Sequence, residues 1–320
     1  MTKERQGSSS HHEGVFPEET IQFGNGFELI PDSVEENIVK NPDKIKEIFS
    51  GRKVIIVGPH PDDPELSMGV MEHLLSRFAT SVQVISVTTG YNGVTDEYAR
   101  IKLQLNEDQV LDTNLKAGIR IDEEKQAASI LGVKSYDNLD ITIPKLVEVN
   151  TDHEKSGVRL RFESRYGEID PEGIAKISSL VSDSPNVVWF LPYPFRTQPH
   201  HDVHERVGLG FIEILAKSGI ENVWFYETYE RQVDFDVEGV KPNFIVAFAD
   251  ELMSYKTRAI QTFESQISRD PDGYGMMPIR RNEYYAWQLS LLERGAERFL
   301  RGQLRMSSNL PPYRNPPSDI

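Results

Sequence analysis

No cysteine occurs among the 320 residues of the chain. That excludes disulfides, a thiolate nucleophile and any metal site built on sulfur. A metal would have to be held by His, Asp or Glu, a donor set that suits hard and borderline ions, zinc included. Positive charge is scarce as well: 35 Lys and Arg face 50 Asp and Glu, a formal net charge of −15. Nonspecific nucleic-acid binding needs a basic face, so no nucleic-acid partner is expected. No apolar run approaches the roughly eighteen residues of a membrane helix, so no membrane insertion is expected. The polar N-terminus lacks the apolar centre of a secretory signal, and a cytoplasmic protein is the expectation.

What is present is enough for one large α/β domain or two smaller ones. The chain is organised around Lys53 to Gly69, KVIIVGPHPDDPELSMG. Val54 to Val57 is a β-branched run, the mark of a buried strand. His60, Asp62 and Asp63 follow at once, between Pro59, Pro61 and Pro64. Glu65 to Leu75 then has helical spacing in Leu66, Val70, His73 and Leu74. In an open α/β sheet such a loop lies at the carboxyl edge of the strands, where ligands bind.

The rest alternates between the two periods. Residues 1 to 32 are polar, and His11 and His12 there receive no site role. Val34 to Phe49 reads as a helix and Ser81 to Val87 as a strand. Residues 94 to 119 suit either a helix or a flap over the strand ends. Ile121 to Leu131 is helical, with Gly132 as its C-terminal cap, and Tyr136 to Ile141 is a third strand. Residues 142 to 169 look like an inserted hairpin. Helices are expected at Gly173 to Val181, Val203 to Ala216, Met253 to Ile267 and Tyr284 to Leu300. Strands are expected at Val187 to Leu191, Asn222 to Glu227 and Asn243 to Phe248, and the tail is Pro-rich. This alternation predicts a Rossmann-like α/β fold, a mostly parallel sheet with helices on both faces. The expected division is an arm and packing helix at 1–50, one domain at 51–305 and a tail at 306–320.

Two histidine groups follow predicted strands: His60 in HPDD, and His200, His201 and His204 in PHHDVH. If the strands are parallel, both loops leave the same edge of the sheet. His60 and Asp63 are three apart, so a turn brings them to one side. A third ligand from the second group would complete two His and one carboxylate, with a fourth position open for water. Structure alone explains part of this. Asp63 before Pro64 serves as a helix cap followed by Pro in the first turn, and Asp202 caps the next helix. Neither reading accounts for His60 and Asp62 together. His73 is expected to pack on its helix and His153 to face solvent in the hairpin.

At these residues the sequence resembles the LmbE-like, or PIG-L-like, family of zinc-dependent N-deacetylases. HPDDPELSMG is similar to the family's HPDDxE. Arg120 to Val133 is similar to its R-x-x-E-x-x-x-A-x-x-LG helix, with Glu124 taken as the glutamate, one position late. HDVH, His201 to His204, stands in place of HxDH, and Lys256 to Gln266 is similar to a helix ending in SQ. Tyr91 occupies the place of a common Glu, Asp202 is shifted, and His200 is a rival for the role of His201 or His204. The resemblance implies His60, Asp63 and His204 as ligands of one zinc ion. It implies Asp62 as general base, His201 as the residue that stabilises the oxyanion or protonates the amine, and Arg120 as a substrate contact. It further implies an N-acetylglucosamine conjugate as substrate and a homo-oligomer as the assembly. Two other readings compete with deacetylation: a single-metal phosphoesterase, and a non-catalytic sugar-binding protein of the same fold.

Overall fold

The computed structural model describes residues 20–306 except 24–25, 33–36, 152–160, 167, 183–186, 196–201, 229–234, 236–238 and 272. Along the chain come β1 (Ile21–Phe23), β2 (Phe27–Pro31), β3 (Asn37–Val39), α1 (Pro42–Phe49), β4 (Lys53–Gly58), α2 (Asp63–Phe78) and β5 (Ser81–Ser86). Next are α3 (Asp96–Lys102), α4 (Thr113–Leu131) and β6 (Ser135–Asn138), then β7 (Lys145–Thr151) and β8 (Arg161–Tyr166). The order continues with α5 (Pro171–Ser182), β9 (Val187–Pro192), α6 (Asp202–Lys217), β10 (Asn222–Tyr226) and β11 (Phe244–Phe248). It ends with α7 (Asp250–Ile260), α8 (Glu264–Ile267), α9 (Met277–Gln288) and β12 (Gly295–Met306).

Five parallel strands form the centre in the order β6-β5-β4-β9-β10. The chain winds outward from β4 through β5 to β6, then crosses to β9 and β10 on the other side. Strand order therefore reverses between β4 and β9, the switch point where such sheets bind ligands. β12 extends the sheet antiparallel to β10 and carries β11 and β2 on its far side.

The β-branched runs belong in this centre because both faces are covered. Ile55, Val57, Trp189 and Leu191 point into one core with Phe211 and Leu215 of α6. Val54, Ile56 and Phe190 point into another with Phe49 of α1 and Met71 and Leu75 of α2. Each such side chain contributes roughly 1.5–3 kcal/mol on burial, which selects continuous apolar strands over alternating ones. The expected fold class is what the structure shows: a mixed α/β domain, its sheet mostly parallel and its helices on both faces.

Several boundaries differ from the expectation. Ile21–Phe23 and Phe27–Pro31 pair antiparallel as β1 and β2, with Phe23, Phe27 and Leu29 buried against the sheet. The helix expected from Val34 splits into β3, paired with β11, and α1, which begins where Asn41 caps it ahead of Pro42. α4 starts earlier than expected, at Thr113, because the Asp112 carboxylate caps it through Leu115 N. The helix expected over Tyr284–Leu300 ends at Gln288, and Gly295–Met306 is strand β12 instead. Met253–Ile267 divides into α7 and α8. Within 142–169, β7 and β8 pair antiparallel as the inserted hairpin requires. Its turn, with His153, lies outside the described residues, as do His11, His12 and all of the tail beyond Met306.

Candidate active site

β4 delivers the first loop. At Gly58 a Cβ would stand 2.7 Å from Pro64 Cδ and 3.0 Å from the His60 carbonyl oxygen, so only glycine lets the chain fold back so tightly. Thr88, at the end of β5, fixes the turn by donating from its backbone N (3.1 Å) and its Oγ1 (2.8 Å) to the Pro59 carbonyl. The turn ends at Asp62, whose φ is 126°, a region that costs a non-glycine residue energy and recurs at functional sites. Gly90 lies directly beside it: a Cβ there would be 3.1 Å from Pro61 Cδ.

Three predicted ligands meet. Asp63 Oδ2 accepts from the His60 backbone N at 2.7 Å and lies 3.2 Å from His60 Nδ1. Asp63 Oδ1 lies 3.1 Å from His204 Nε2, which the first turn of α6 brings in from the switch-point side. One ligand atom from each of His60, Asp63 and His204 falls within 4.8 Å of the others. Neighbouring ligands of a tetrahedral zinc with bonds of about 2.1 Å stand about 3.4 Å apart, so spacing and donor types fit such an ion. The loop with His200 and His201 lies outside the described residues.

Charge is concentrated here. Burial alone would raise the Asp63 carboxyl, but the charge and hydrogen bond of His204, with those of His60, hold it well below the usual range. Burial works to lower the His60 imidazole, yet the hydrogen bond to Asp63 and the charges of Asp63 and Asp62 raise it. Asp62 goes the other way from Asp63. Burial pushes its carboxyl up, and Arg120 and Tyr274 pull back against burial and the Asp63 charge.

Asp62 has its own neighbours. Its Oδ2 accepts from Arg120 Nη2 at 2.9 Å and from Tyr274 Oη at 2.5 Å. Arg120 is buried, donates also to the Pro61 carbonyl, and lies over the Phe263 ring. Its donors thus serve the HPDD loop and Glu123. The glutamate of the Arg120 helix is Glu123, three residues on, and not Glu124 as first read. Glu123 faces Arg120 at 3.4 Å and accepts from both Ser265 N and Ser265 Oγ at 2.7 Å. Glu124 turns to Ser86 Oγ, at 2.5 Å. Gln266 closes the ring by donating to the Gly93 carbonyl at 2.9 Å. His73 packs as expected, its ring stacked on Tyr255.

Two of these residues had no sequence-based role. Tyr274 sits between the expected helices Met253 to Ile267 and Tyr284 to Leu300, and flanking Gly273 and Gly275 are its sole signal. Ser265 was read merely as half of an SQ ending.

A Rossmann-like sheet with a His–Asp–His group at its switch point defines an α/β protein whose donor set could hold a metal ion. The chain belongs to the PIG-L family, described as GlcNAc-PI de-N-acetylase, whose model matches residues 55–256. It is 28% identical over 235 residues to the diacetylchitobiose deacetylase of Thermococcus kodakarensis, covering 71% of this chain and 75% of that one. Among solved structures it is similar to an N,N'-diacetylchitobiose deacetylase from Pyrococcus horikoshii, with TM-score 0.56, 24% identity, and 78% and 83% of the two chains covered. It is also similar to the teicoplanin deacetylase Orf2 in a zinc-inhibited form, with TM-score 0.52, 14% identity, and 81% and 100% covered. The 4-carboxy-2-hydroxymuconate hydratase GalB of Pseudomonas putida shares the fold at TM-score 0.50 and 16% identity, with 81% and 100% covered.

Proposed function

We propose that this chain is a zinc-dependent hydrolase that removes the acetyl group from an N-acetylglucosamine-type sugar, giving acetate and a free amine. The observation that carries the reading is the set His60, Asp63 and His204 with Asp62 beside it, held by separate partners. Membership of a de-N-acetylase family and likeness to a diacetylchitobiose deacetylase support the substrate class. The fold alone decides little, since a hydratase shares it.

Zinc held by His60, Asp63 and His204 would supply Lewis-acid polarisation of the amide carbonyl and an acidified water. Asp62 accepts a proton from the attacking water as its oxygen bonds to the carbonyl carbon. The C–N bond then breaks, the amine leaves with a proton, and acetate remains. His201 is proposed, on the family resemblance alone, to donate to the oxyanion or to the leaving amine. Arg120, first expected to touch substrate, is proposed to act on Asp62 and the Pro61 carbonyl, where its donors already lie.

The test is metal analysis of the purified chain, followed by amine and acetate assays over N-acetylglucosamine, N,N'-diacetylchitobiose and phosphorylated or lipid-linked conjugates. About one zinc per chain, and acetate equal to amine, are expected. His60→Ala, Asp63→Ala and His204→Ala should each strip the metal. Phosphate release without acetate would replace this reading with that of a phosphoesterase, and sugar binding without turnover would replace it with a binding protein.

A further inference from the structure

Asp62 has two carboxylate oxygens, and the structure treats them differently. Arg120 Nη2 and Tyr274 Oη both reach Oδ2, at 2.9 and 2.5 Å. Among the described residues no donor reaches Oδ1. A general base needs one oxygen held and the other open to the water it deprotonates. The backbone of Asp62 is itself unfavourable at φ 126°, so side-chain anchoring has to hold this residue against relaxation.

Tyr274 is suited to that anchoring. Its ring packs with Phe263, 6.4 Å away and edge-on, in a small apolar cluster with Ala127 and Ala259. Its backbone N donates to the Asp270 carbonyl at 3.0 Å, and the Asp270 side chain accepts from Gly273 N at 3.0 Å, which closes the loop on itself. The phenol is therefore placed by a part of the chain that carries none of the three metal ligands.

We propose that Tyr274 is a positioning residue of the reaction: with Arg120 it pins Asp62 Oδ2, so that Oδ1 is the oxygen that takes the proton. This rests on the deacetylase reading above and adds to it a residue that no motif marks. Tyr274 is separated in sequence from the HPDD loop, and its role is visible only in the folded chain.

Tyr274→Phe keeps the ring and removes only the hydroxyl. The zinc-loaded variant should match wild type in metal content and in KM for N,N'-diacetylchitobiose. Its kcat should fall roughly ten- to a hundredfold, the scale of one hydrogen bond to a charged group. In an Asp62→Asn background the same change should cost almost nothing more, because no base is left to position. A crystal structure of zinc-loaded Tyr274→Phe should show the Asp62 carboxylate rotated or in two poses. An unchanged kcat, an Asp62 side chain left in place, or an equal loss in the Asp62→Asn background overturns the proposal. Failure of the deacetylase reading looks different: wild type releases no acetate, while Asp62 in Tyr274→Phe still loses its pose.

Discussion

Asp62 and Asp63 are adjacent carboxylates that the structure separates by their partners. Asp63 lies between two imidazoles and is held ionised, as a metal ligand requires. Asp62 lies between a guanidinium and a phenol, and its burial raises its carboxyl against the pull of Arg120 and Tyr274. On the zinc-hydrolase reading, this division predicts that Asp62→Asn keeps its metal content and its fold. Asn fills the same volume and suits the same turn, yet has no site for the proton. Its kcat should fall roughly 10²- to 10⁴-fold, about 3 to 5 kcal/mol of barrier, with KM little changed. Metal analysis beside steady-state kinetics checks this. A zinc-loaded Asp62→Asn protein within threefold of wild type would remove Asp62 from the chemistry.

α2 is the element on which the site depends, and it is not one continuous helix. Met68, at φ −130° and ψ 28°, breaks it after the first turn, the turn that carries Asp63. A break leaves helix N–H and C=O groups without partners. Here Glu297 of β12 accepts from Val70 N at 3.1 Å and Met71 N at 2.8 Å, and Lys256 of α7 donates to the Ser67 carbonyl at 3.2 Å. The two side chains pair with each other at 2.8 Å, both fully buried. The Lys256 stem crosses Gly69, where a Cβ would come within 3.0 Å of it. Lys256→Met keeps that stem but leaves Glu297 as a lone buried charge at the break. A loss of about 3 to 5 kcal/mol in unfolding free energy is expected, read by chemical denaturation. Weaker zinc binding should accompany it, because the first turn of α2 loses its support. A stability within 1 kcal/mol of wild type, on the roughly ±10–15% precision of such extrapolations, would show that the break needs no such pair.

The same pair explains which elements could be read from sequence. β4 and β9 are apolar on both faces and β5 alternates around Val82, Val84 and Ile85, so all three were legible as strands, as was the strand–loop–helix bearing His60, Asp62 and Asp63. The first half of β12, up to Leu300, was expected to be helical because Glu297 and Arg298 stand in that buried half. Their charges are met by Lys256 and by Glu227, at 2.8 and 2.6 Å, partners that lie far away in sequence. The chance recurrence of Tyr285, Leu289, Leu292, Ala296 and Phe299 at helical spacing completed the error, although Leu292 is exposed and Gly295 begins a strand. Likewise His60, Asp63 and His204, which the fold brings together, were legible as residue types at matching strand ends. Tyr274 and Ser265 were not, since their roles exist only through contacts between separate elements.

Across the molecule, a chain with a formal charge of −15 also hides acidic groups in its interior. Glu65, Glu72 and Glu124 are fully buried, and among the described residues neither oxygen of Glu65 or Glu72 has a hydrogen-bond partner. Burial, then the charges of Glu65, Glu124 and Glu297, push the Glu72 carboxyl well above 4.5, against Lys256. Burial and Glu65 push Glu124 up in the same way, against its bonds to Ser86 and Tyr136. Both groups are therefore protonated in the folded chain at pH values where the unfolded chain has released the proton. Below about pH 4.5 both states hold the proton and neither group gives stability a slope. Above it the folded state binds more protons than the unfolded one, so stability falls as pH rises toward the raised folded values. Each group contributes at most about 1.4 kcal/mol per pH unit to that fall. Gln cannot ionise in either state, so Glu72→Gln and Glu124→Gln remove the slope while keeping the shape. The expected outcome is that each variant gains on wild type steadily from pH 5 to pH 9 in thermal melts of zinc-loaded protein. Taking the difference at each pH cancels the metal ligands' own titration, which variant and wild type share. A difference that stays flat over this range would mean that Glu72 and Glu124 are ionised inside the fold and paired there by other means.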